Sequence, residues 1–233
     1  MTLVSSEEGL LFLLRWTHFL AGITWIGLLY YFNFVQTPFF AETEAGVRSG
    51  AIQKLVPRAL WWFRWGAMIT FLSGWLYLLD RVPQVGFGAP YSWAILTGGL
   101  LGTLMWANVW FVIWPAQQVV IRSAEGVAGG GQPIPEAAAR GARGGLASRT
   151  NTLFSIPMLF FMGSASHLTS FNNGGNDGLY WILFLVVVGA LEWNSLSGTG
   201  QGRQKFLSTV SGTIHAGLGL TLLLYLIGVV VNS

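Results

Sequence analysis

Residues 10–34 read LLFLLRWTHFLAGITWIGLLYYFNF and form the first long apolar run of the chain. About 20 apolar residues suffice for a helix to cross a bilayer, so this stretch predicts a membrane-spanning helix. An ionisable side chain within such a helix is costly and therefore indicates a functional site. One face of the predicted helix collects four residues spaced by three or four positions: Arg15, His18, Gly22 and Trp25.

The composition of the whole chain indicates a polytopic membrane protein. Its 233 residues are 53% hydrophobic and only 9% charged, whereas soluble domains are about 25% charged. The 12 tryptophans and 16 phenylalanines suit the membrane interfaces. The net charge of +3 is small, and the basic residues fall in short loops beside apolar runs, so we expect no nucleic-acid partner.

Cysteine is absent from the sequence, and this excludes several kinds of redox centre. The chain forms no disulfide and offers no thiolate to an iron–sulfur cluster or to haem iron. It also lacks the Cys-x-x-Cys-His motif through which haem c is attached. Imidazole is therefore the ligand that remains for haem iron.

The hydropathy pattern predicts an all-α helix bundle that forms a single membrane domain over residues 1–233. Pro157 in the fourth run is tolerated in a membrane helix and predicts a kink. The longest connection, residues 117–150, holds a Gly-Gly-Gly-Gln-Pro segment and an Ala-, Gly- and Arg-rich run, for which we expect a flexible turn and a short interfacial helix. Six apolar runs are long enough to span a bilayer: Leu10–Phe34, Leu60–Leu79, Trp93–Trp114, Thr152–Thr169, Leu179–Leu196 and Thr209–Val231.

The basic residues predict the orientation of these spans. Ten of the 12 lie in or beside the connections after spans one, three and five, which makes that side cytoplasmic. Only Arg15 and Arg81 fall on the other side. Both termini are then expected on the periplasmic or exterior side of a bacterial inner (cytoplasmic) membrane, and the 117–150 loop on the cytoplasmic side.

The histidine distribution is the sharpest indication of chemistry. The chain has three histidines, His18, His167 and His215, and all lie within or at the edge of apolar runs. Neutral imidazole in a dry helical bundle suits haem iron, so we expect haem b held by His18 together with His167 or His215. Depth estimated from helical rise leaves the choice of partner open. Hydrogen bonding between helices is the alternative role for each of them.

Other residues complete this hypothesis. Gly22 would leave space for the porphyrin, and the Trp25 ring would cover it. Arg15 would either pair with a haem propionate or extend to the interface.

Glu192, beside Trp193, is interpreted as an interfacial residue, with a proton-relay role as the alternative. Asn108 is expected to form a hydrogen bond between helices.

Several motifs resemble a known family. Segment 15–27, RWTHFLAGITWIG, resembles the first membrane helix of PuuD-type urate hydroxylases, the urate oxidase N-terminal family. Segment 148–167, SRTNTLFSIPMLFFMGSASH, resembles the later arginine–asparagine, proline and methionine–serine–histidine pattern of that family, and WFRW (62–65) with SGWL (73–76) is similar to its second helix. The first helix also has a weaker likeness to HemJ-type protoporphyrinogen oxidases, in which a histidine in a Lys-x-x-His setting is a haem ligand.

The resemblance implies an integral membrane redox protein. In the family the membrane part is commonly joined to a c-type cytochrome that accepts the electrons. By position, His18 and His167 match the family's histidines, and Arg15 stands at the basic position of the HemJ setting. No cluster of Arg, Gln and Asn shaped for a purine is evident in the sequence itself.

Three functions are compatible with these observations. The first is a haem b membrane subunit that transfers electrons between a partner protein and a quinone or cytochrome. The second is an oxidoreductase of the urate hydroxylase type that passes electrons to a separate cytochrome c. The third is a structural or assembly subunit of a larger membrane complex, for which small residues permit close helix packing.

Overall fold

Helices make up every regular element in the computed structural model, which describes residues 3–168, 177–198 and 202–231. Two of the long helices each contain a π-helical segment, at Tyr31–Gln36 and Val109–Ile113. A short 3₁₀ helix, Gly202–Ser208, precedes the last helix. The helices are α1 (Glu7–Glu42), α2 (Ala45–Lys54), α3 (Val56–Val85), α4 (Pro90–Ala128), α5 (Ala137–Ser164), α6 (Asp177–Leu196) and α7 (Val210–Val231).

Local sequence explains where several helices begin and end. The Ser6 hydroxyl caps α1 by accepting the Gly9 N–H at 3.1 Å. Gly86 ends α3 with φ +98°, a conformation that disfavours any residue with a side chain. Pro90 opens α4 at a position where no N–H is needed.

Helix α5 lies at the centre of the bundle. It packs against α1, α4, α6 and α7, while α3 joins the bundle through α1 and α4. The core holds large apolar side chains such as Trp25, Phe63 and Phe154, each at most 2% exposed. Other large apolar side chains point outward, where a bilayer would cover them: Ile23, Leu79, Phe111, Leu185 and Val230.

The contacts identify the two ends of the bundle. At one end the start of α1 meets the end of α3, where the Gln84 amide donates to Glu7 at 3.2 Å. The loop after α3 reaches the start of α6 there, since Gly88 lies beside Asp177. At the opposite end, the last turns of α1 approach the start of α7 across a cavity. Consecutive long helices therefore run in opposite directions.

Four helices are long and apolar enough to cross a membrane, which makes this an integral membrane protein with a helical bundle. They are α1, α4, α6 and α7. Helix α3 has 30 residues but carries Arg58, Arg64, Asp80 and Arg81. Helix α5 has 28 residues and turns its polar side chains into the bundle, which lowers its hydropathy although those side chains do not face lipid.

The connection predicted at residues 117–150 is mostly helical, which corrects that expectation. Only residues 129–136 separate α4 from α5, and Gly130 makes the turn with φ +85°. Small residues let the two helices approach closely here, since Gly144 contacts Ala116. Helix α5 also continues through Pro157. The predicted end of the fourth span, Thr169, lies outside the described residues.

Candidate functional site

The helical face predicted to carry a haem packs against α3. Gly22 faces Thr70, and the backbone at Trp25 lies against Gly66, where a Cβ would be 3.2 Å from the Trp25 nitrogen. Gly66, Thr70 and Gly74 recur every four residues, a small-residue spacing that lets membrane helices approach. The space expected beside Gly22 is thus occupied by α3.

His18 donates a hydrogen bond to α3. Its Nδ1 lies 2.9 Å from the carbonyl oxygen of Thr70, and a carbonyl only accepts, so Nδ1 carries the proton. The ring rests on Gly74, where a Cβ would lie 2.8 Å from Cε1. One turn earlier, the Arg15 guanidinium lies 5.7 Å from the centre of the Tyr77 ring. Both side chains therefore contact the same neighbouring helix.

The other two histidines are exposed and bond to their own helices. His167 lies just after α5, with Nδ1 2.9 Å from the Gly163 carbonyl oxygen. His215 lies in the second turn of α7, with Nδ1 2.7 Å from the Ser211 carbonyl oxygen. His215 points away from the bundle interior, because Thr213 and Gly217 occupy the buried face of α7.

Cross-helix contacts give the relative depths of the histidines. Tyr30 bonds Ser155 at 2.9 Å and Asn33 bonds Ser148 at 2.8 Å, so α1 and α5 run antiparallel. Twelve residues separate His18 from Tyr30, and 12 separate Ser155 from His167. His18 and His167 are therefore at a similar depth.

His215 lies at a different depth. Gly217 of α7 packs against Leu153 and Ile156 of α5, and Tyr225 packs against Phe160, so these two helices run parallel. Counted along them at about 1.5 Å per residue, His215 is roughly 20 Å from the level of His167. These two side chains do not meet at one metal.

The hydrogen bonds of the histidines test whether they fit haem iron. In all three the Nδ1–H faces a backbone carbonyl, which leaves the Nε2 lone pair for a metal. This is the tautomer that metal-bound histidines adopt when a carbonyl orients the ring. The donor chemistry therefore fits. Within the described residues, no three or more His, Asp or Glu side chains cluster as a metal site of their own.

A layer of buried polar side chains crosses the bundle at the level of the first half of α5. Asn108 of α4 donates to Asn151 at 2.9 Å and to Glu192 of α6 at 3.1 Å. Asn151 donates in turn to the Met105 carbonyl at 2.9 Å. Asn33 of α1 donates to Ser148 and to the Leu29 carbonyl. We call these four residues, Asn33, Asn108, Asn151 and Glu192, the polar layer.

The two π-helical segments adjoin this layer. Asn33 lies within the first, Tyr31–Gln36, and Asn108 directly precedes the second, Val109–Ile113. Segments of this kind are rare and occur frequently at functional sites, because the wider turn redirects side chains. Two of them at one level of the bundle mark the polar layer as a candidate site.

A cavity of about 300 Å³ opens beside the polar layer, between α1, α5 and the start of α7. We call it the Arg149 cavity, after the charged residue that the described part of the chain places in its lining. Phe34 and Pro38 give it apolar surface. Its polar lining consists of Asn33, Thr37, Arg149, Ser208, Thr209 and Thr213.

The structure confirms one interpretation drawn from the sequence and corrects another. Asn108 forms the predicted hydrogen bond between helices, which is confirmed. Glu192 is not an interfacial residue, because it is only 8% exposed and points into the bundle while neighbouring Trp193 points out. Arg149 and Asn33 come from helices distant in sequence, which is why their shared cavity was missed.

Comparison with known protein families identifies the family of this chain. The family model described as Urate oxidase N-terminal matches residues 87–223, which is more than half of the chain. The match includes Arg149 and three members of the polar layer, as well as His167 and His215, whereas His18 precedes it. No curated protein matches the chain, and no solved structure does.

Proposed function

Because the chain belongs to the urate oxidase N-terminal family, we propose that it is a membrane-bound oxidoreductase of the urate hydroxylase type. The observation that carries this proposal is the family match, which includes Asn108, Asn151 and Glu192 of the polar layer. The chain would take electrons from a small heterocycle and pass them to a separate acceptor, a cytochrome c or a quinone. Residues 1–233 contain no cysteine and so hold no covalent haem c of their own.

The proposed cofactor is haem b, which His18 and His167 would hold through their Nε2 atoms. Their similar depth and their free Nε2 atoms support this pair over a pair that includes His215. Haem supplies one-electron chemistry between the substrate and the acceptor. The chain itself orients each imidazole through Nδ1, and Arg15 offers a cation to a propionate one turn from His18.

The proposed topology has six spans with both termini outside the cytoplasm of a bacterial cell. Helices α3 and α5, of 30 and 28 residues, are long enough to cross a bilayer. Buried polar side chains of α5 such as Asn151 and Thr152 are hydrogen-bonded inside the bundle, as a membrane interior requires. The basic residues gather at the end where α1 finishes and α7 begins, and this supports a cytoplasmic position for that end.

The test is a reduced-minus-oxidised optical spectrum of protein purified from cells supplied with haem, recorded without oxygen before and after urate is added. We expect a b-type signal that urate reduces. His18→Ala and His167→Ala are expected to lose most of the bound haem. His215→Ala is the matched control, because it alters an exposed histidine at another depth, and it should keep the haem.

Each alternative function gives a different spectrum. Haem that is present but never reduced by urate would contradict the hydroxylase proposal and favour an electron-transfer subunit. A folded protein without a chromophore would favour a structural or assembly subunit. Unchanged haem content in all three single variants would reject histidine ligation.

A further inference from the structure

Arg149 differs from the other arginines near the bundle interior in having no partner. The Arg64 guanidinium lies 4.0 Å from the centre of the Trp114 ring and also contacts Trp65 and Trp110. Arg15 lies against Tyr77. Arg149 is half-buried, and among the described residues it makes no hydrogen bond, ion pair or ring contact. A partly desolvated cation without a partner is costly, so the cavity beside it favours an anion.

The start of α7 adds to the attraction for an anion. Thr209 accepts the Gly212 N–H at 3.0 Å, which leaves its own hydroxyl hydrogen for a ligand. Thr209 and Val210 line the cavity, so the N-terminus of this 22-residue helix adjoins it. The positive end of the helix dipole and the Arg149 cation therefore act in the same direction.

The remaining lining favours a flat ligand that also accepts and donates hydrogen bonds. The ring of Phe34 stacks on Tyr30 at 5.0 Å and is held in place at the cavity wall. Asn33 uses its amide N–H groups on Leu29 and Ser148, which leaves its Oδ1 as an acceptor for a ligand N–H. The volume of about 300 Å³ is at the lower end of the range for ligand pockets.

We propose that the Arg149 cavity is the substrate site and binds a small planar anionic heterocycle, the chemical class of the urate anion. The guanidinium of Arg149 would bind the anionic edge of the ring, Asn33 a ring N–H, and Phe34 the edge of the ring plane. This inference rests on the proposed function. An anionic lipid headgroup shares the negative charge but not the planar ring, and the test separates the two.

The test measures urate binding by titration calorimetry, with the protein in nanodiscs of zwitterionic phosphatidylcholine. Arg149→Gln removes the cation and should weaken binding about 10- to 100-fold, as expected for a hydrogen-bonded charge. Arg149→Lys keeps the charge without the planar fork and should fall between Gln and Arg. Arg143→Gln is the matched control on an exposed position of the same helix and should leave the affinity unchanged. Gel filtration of each variant checks folding.

Three results would overturn the site. The first is that the unchanged protein does not bind urate, and the second is that Arg149→Gln binds urate with the same affinity as the unchanged protein. The third is loss of urate binding when phosphatidylglycerol replaces phosphatidylcholine, which would assign the cavity to a lipid headgroup.

Failure of the proposed function would give different results. If urate reduces the haem equally well in Arg149→Gln, the site is elsewhere and the function stands. If urate binds through Arg149 but no electrons reach an acceptor, the site stands and the function falls.

Discussion

At the scale of single residues, Asn108 joins three helices through one side chain. Its amide group donates to Asn151 and to Glu192, both of them buried. Asn108→Leu removes both hydrogen bonds and leaves the Glu192 carboxyl without a partner. We expect the free energy of unfolding to fall by about 1–3 kcal/mol, the cost of leaving a buried polar group without its hydrogen bond. Thermal unfolding of the purified protein, followed by tryptophan fluorescence, measures it.

Gln118→Leu is the control for this substitution. It changes the same type of side chain on the same helix, but at an exposed position, so its effect should stay within about 0.5 kcal/mol. Equal stability of the Asn108 and Gln118 variants would mean that the polar layer contributes nothing to the packing of α4, α5 and α6.

The interhelical hydrogen bond of Asn108 was predictable from the sequence, whereas the burial of Glu192 was not. The physical reason is that neighbouring residues on a helix point in different directions. A polar amide in the middle of an apolar run has few alternatives to bonding with another helix. Glu192 is next to Trp193 near the end of a run, which is typical of an interface. Neighbouring residues on a helix point about 100° apart, so Trp193 faces outward at 68% exposure while Glu192 faces the core. Adjacency in sequence did not reveal this.

At the scale of helices, Gly217 sets the distance between α5 and α7. A Cβ at this position would lie 2.9 Å from the Leu153 carbonyl oxygen, and backbone cannot move aside as a side chain can. Gly217→Val should therefore separate the helices and cost about 1–3 kcal/mol of stability. Because α7 also carries Thr209 and Thr213 of the Arg149 cavity, urate binding should weaken as well. Thermal unfolding and calorimetry measure the two effects.

Gly219→Val is the matched control two residues later on the same helix. A Cβ at Gly219 meets nothing within 4 Å, so this variant changes helix propensity without adding a clash. If both variants lose the same stability, the loss comes from the helix itself and not from contact with α5.

Element types and their order were predictable, whereas helix lengths and π-helical segments were not. Apolar runs determine which segments cross a membrane. An apolar run ends at the edge of the lipid, however, and the helix that contains it can continue further. Helix α4 continues to Ala128 because small residues such as Ala116 and Gly144 allow it to pack on α5 beyond the apolar run. The π-helical segments adjoin Asn33 and Asn108, whose hydrogen bonds to α5 no hydropathy pattern contains.

At the scale of the whole molecule, the polar and ionisable residues are distributed along the bundle in a way that suits the proposed substrate binding and electron transfer. His18 and His167 lie toward one end of the bundle, and Arg15 is one turn from His18. The polar layer and the Arg149 cavity lie near the other end. Under the proposed function, a substrate anion would enter from the side that carries most of the basic residues, and electrons would leave toward the opposite side.

The sidedness of this arrangement can be tested with single cysteines, because the chain has none of its own. Phe87 lies in the loop after α3 and Gln132 in the turn between α4 and α5, and both are exposed. These two connections lie at opposite ends of the bundle, and the second adjoins most of the basic residues. By the positive-inside rule, Phe87→Cys should react with a membrane-impermeant maleimide in intact cells, and Gln132→Cys only after permeabilisation.

Leu101→Cys serves as the control, since a side chain with 0% exposure should stay unlabelled under both conditions. Labelling of Phe87→Cys and Gln132→Cys from the same side would mean that α4 does not cross the bilayer, and the six-span topology would fail. Labelling from opposite sides in the reverse sense would keep the six spans but invert them. The Arg149 cavity would then open to the exterior, and the substrate would be an extracellular or periplasmic anion.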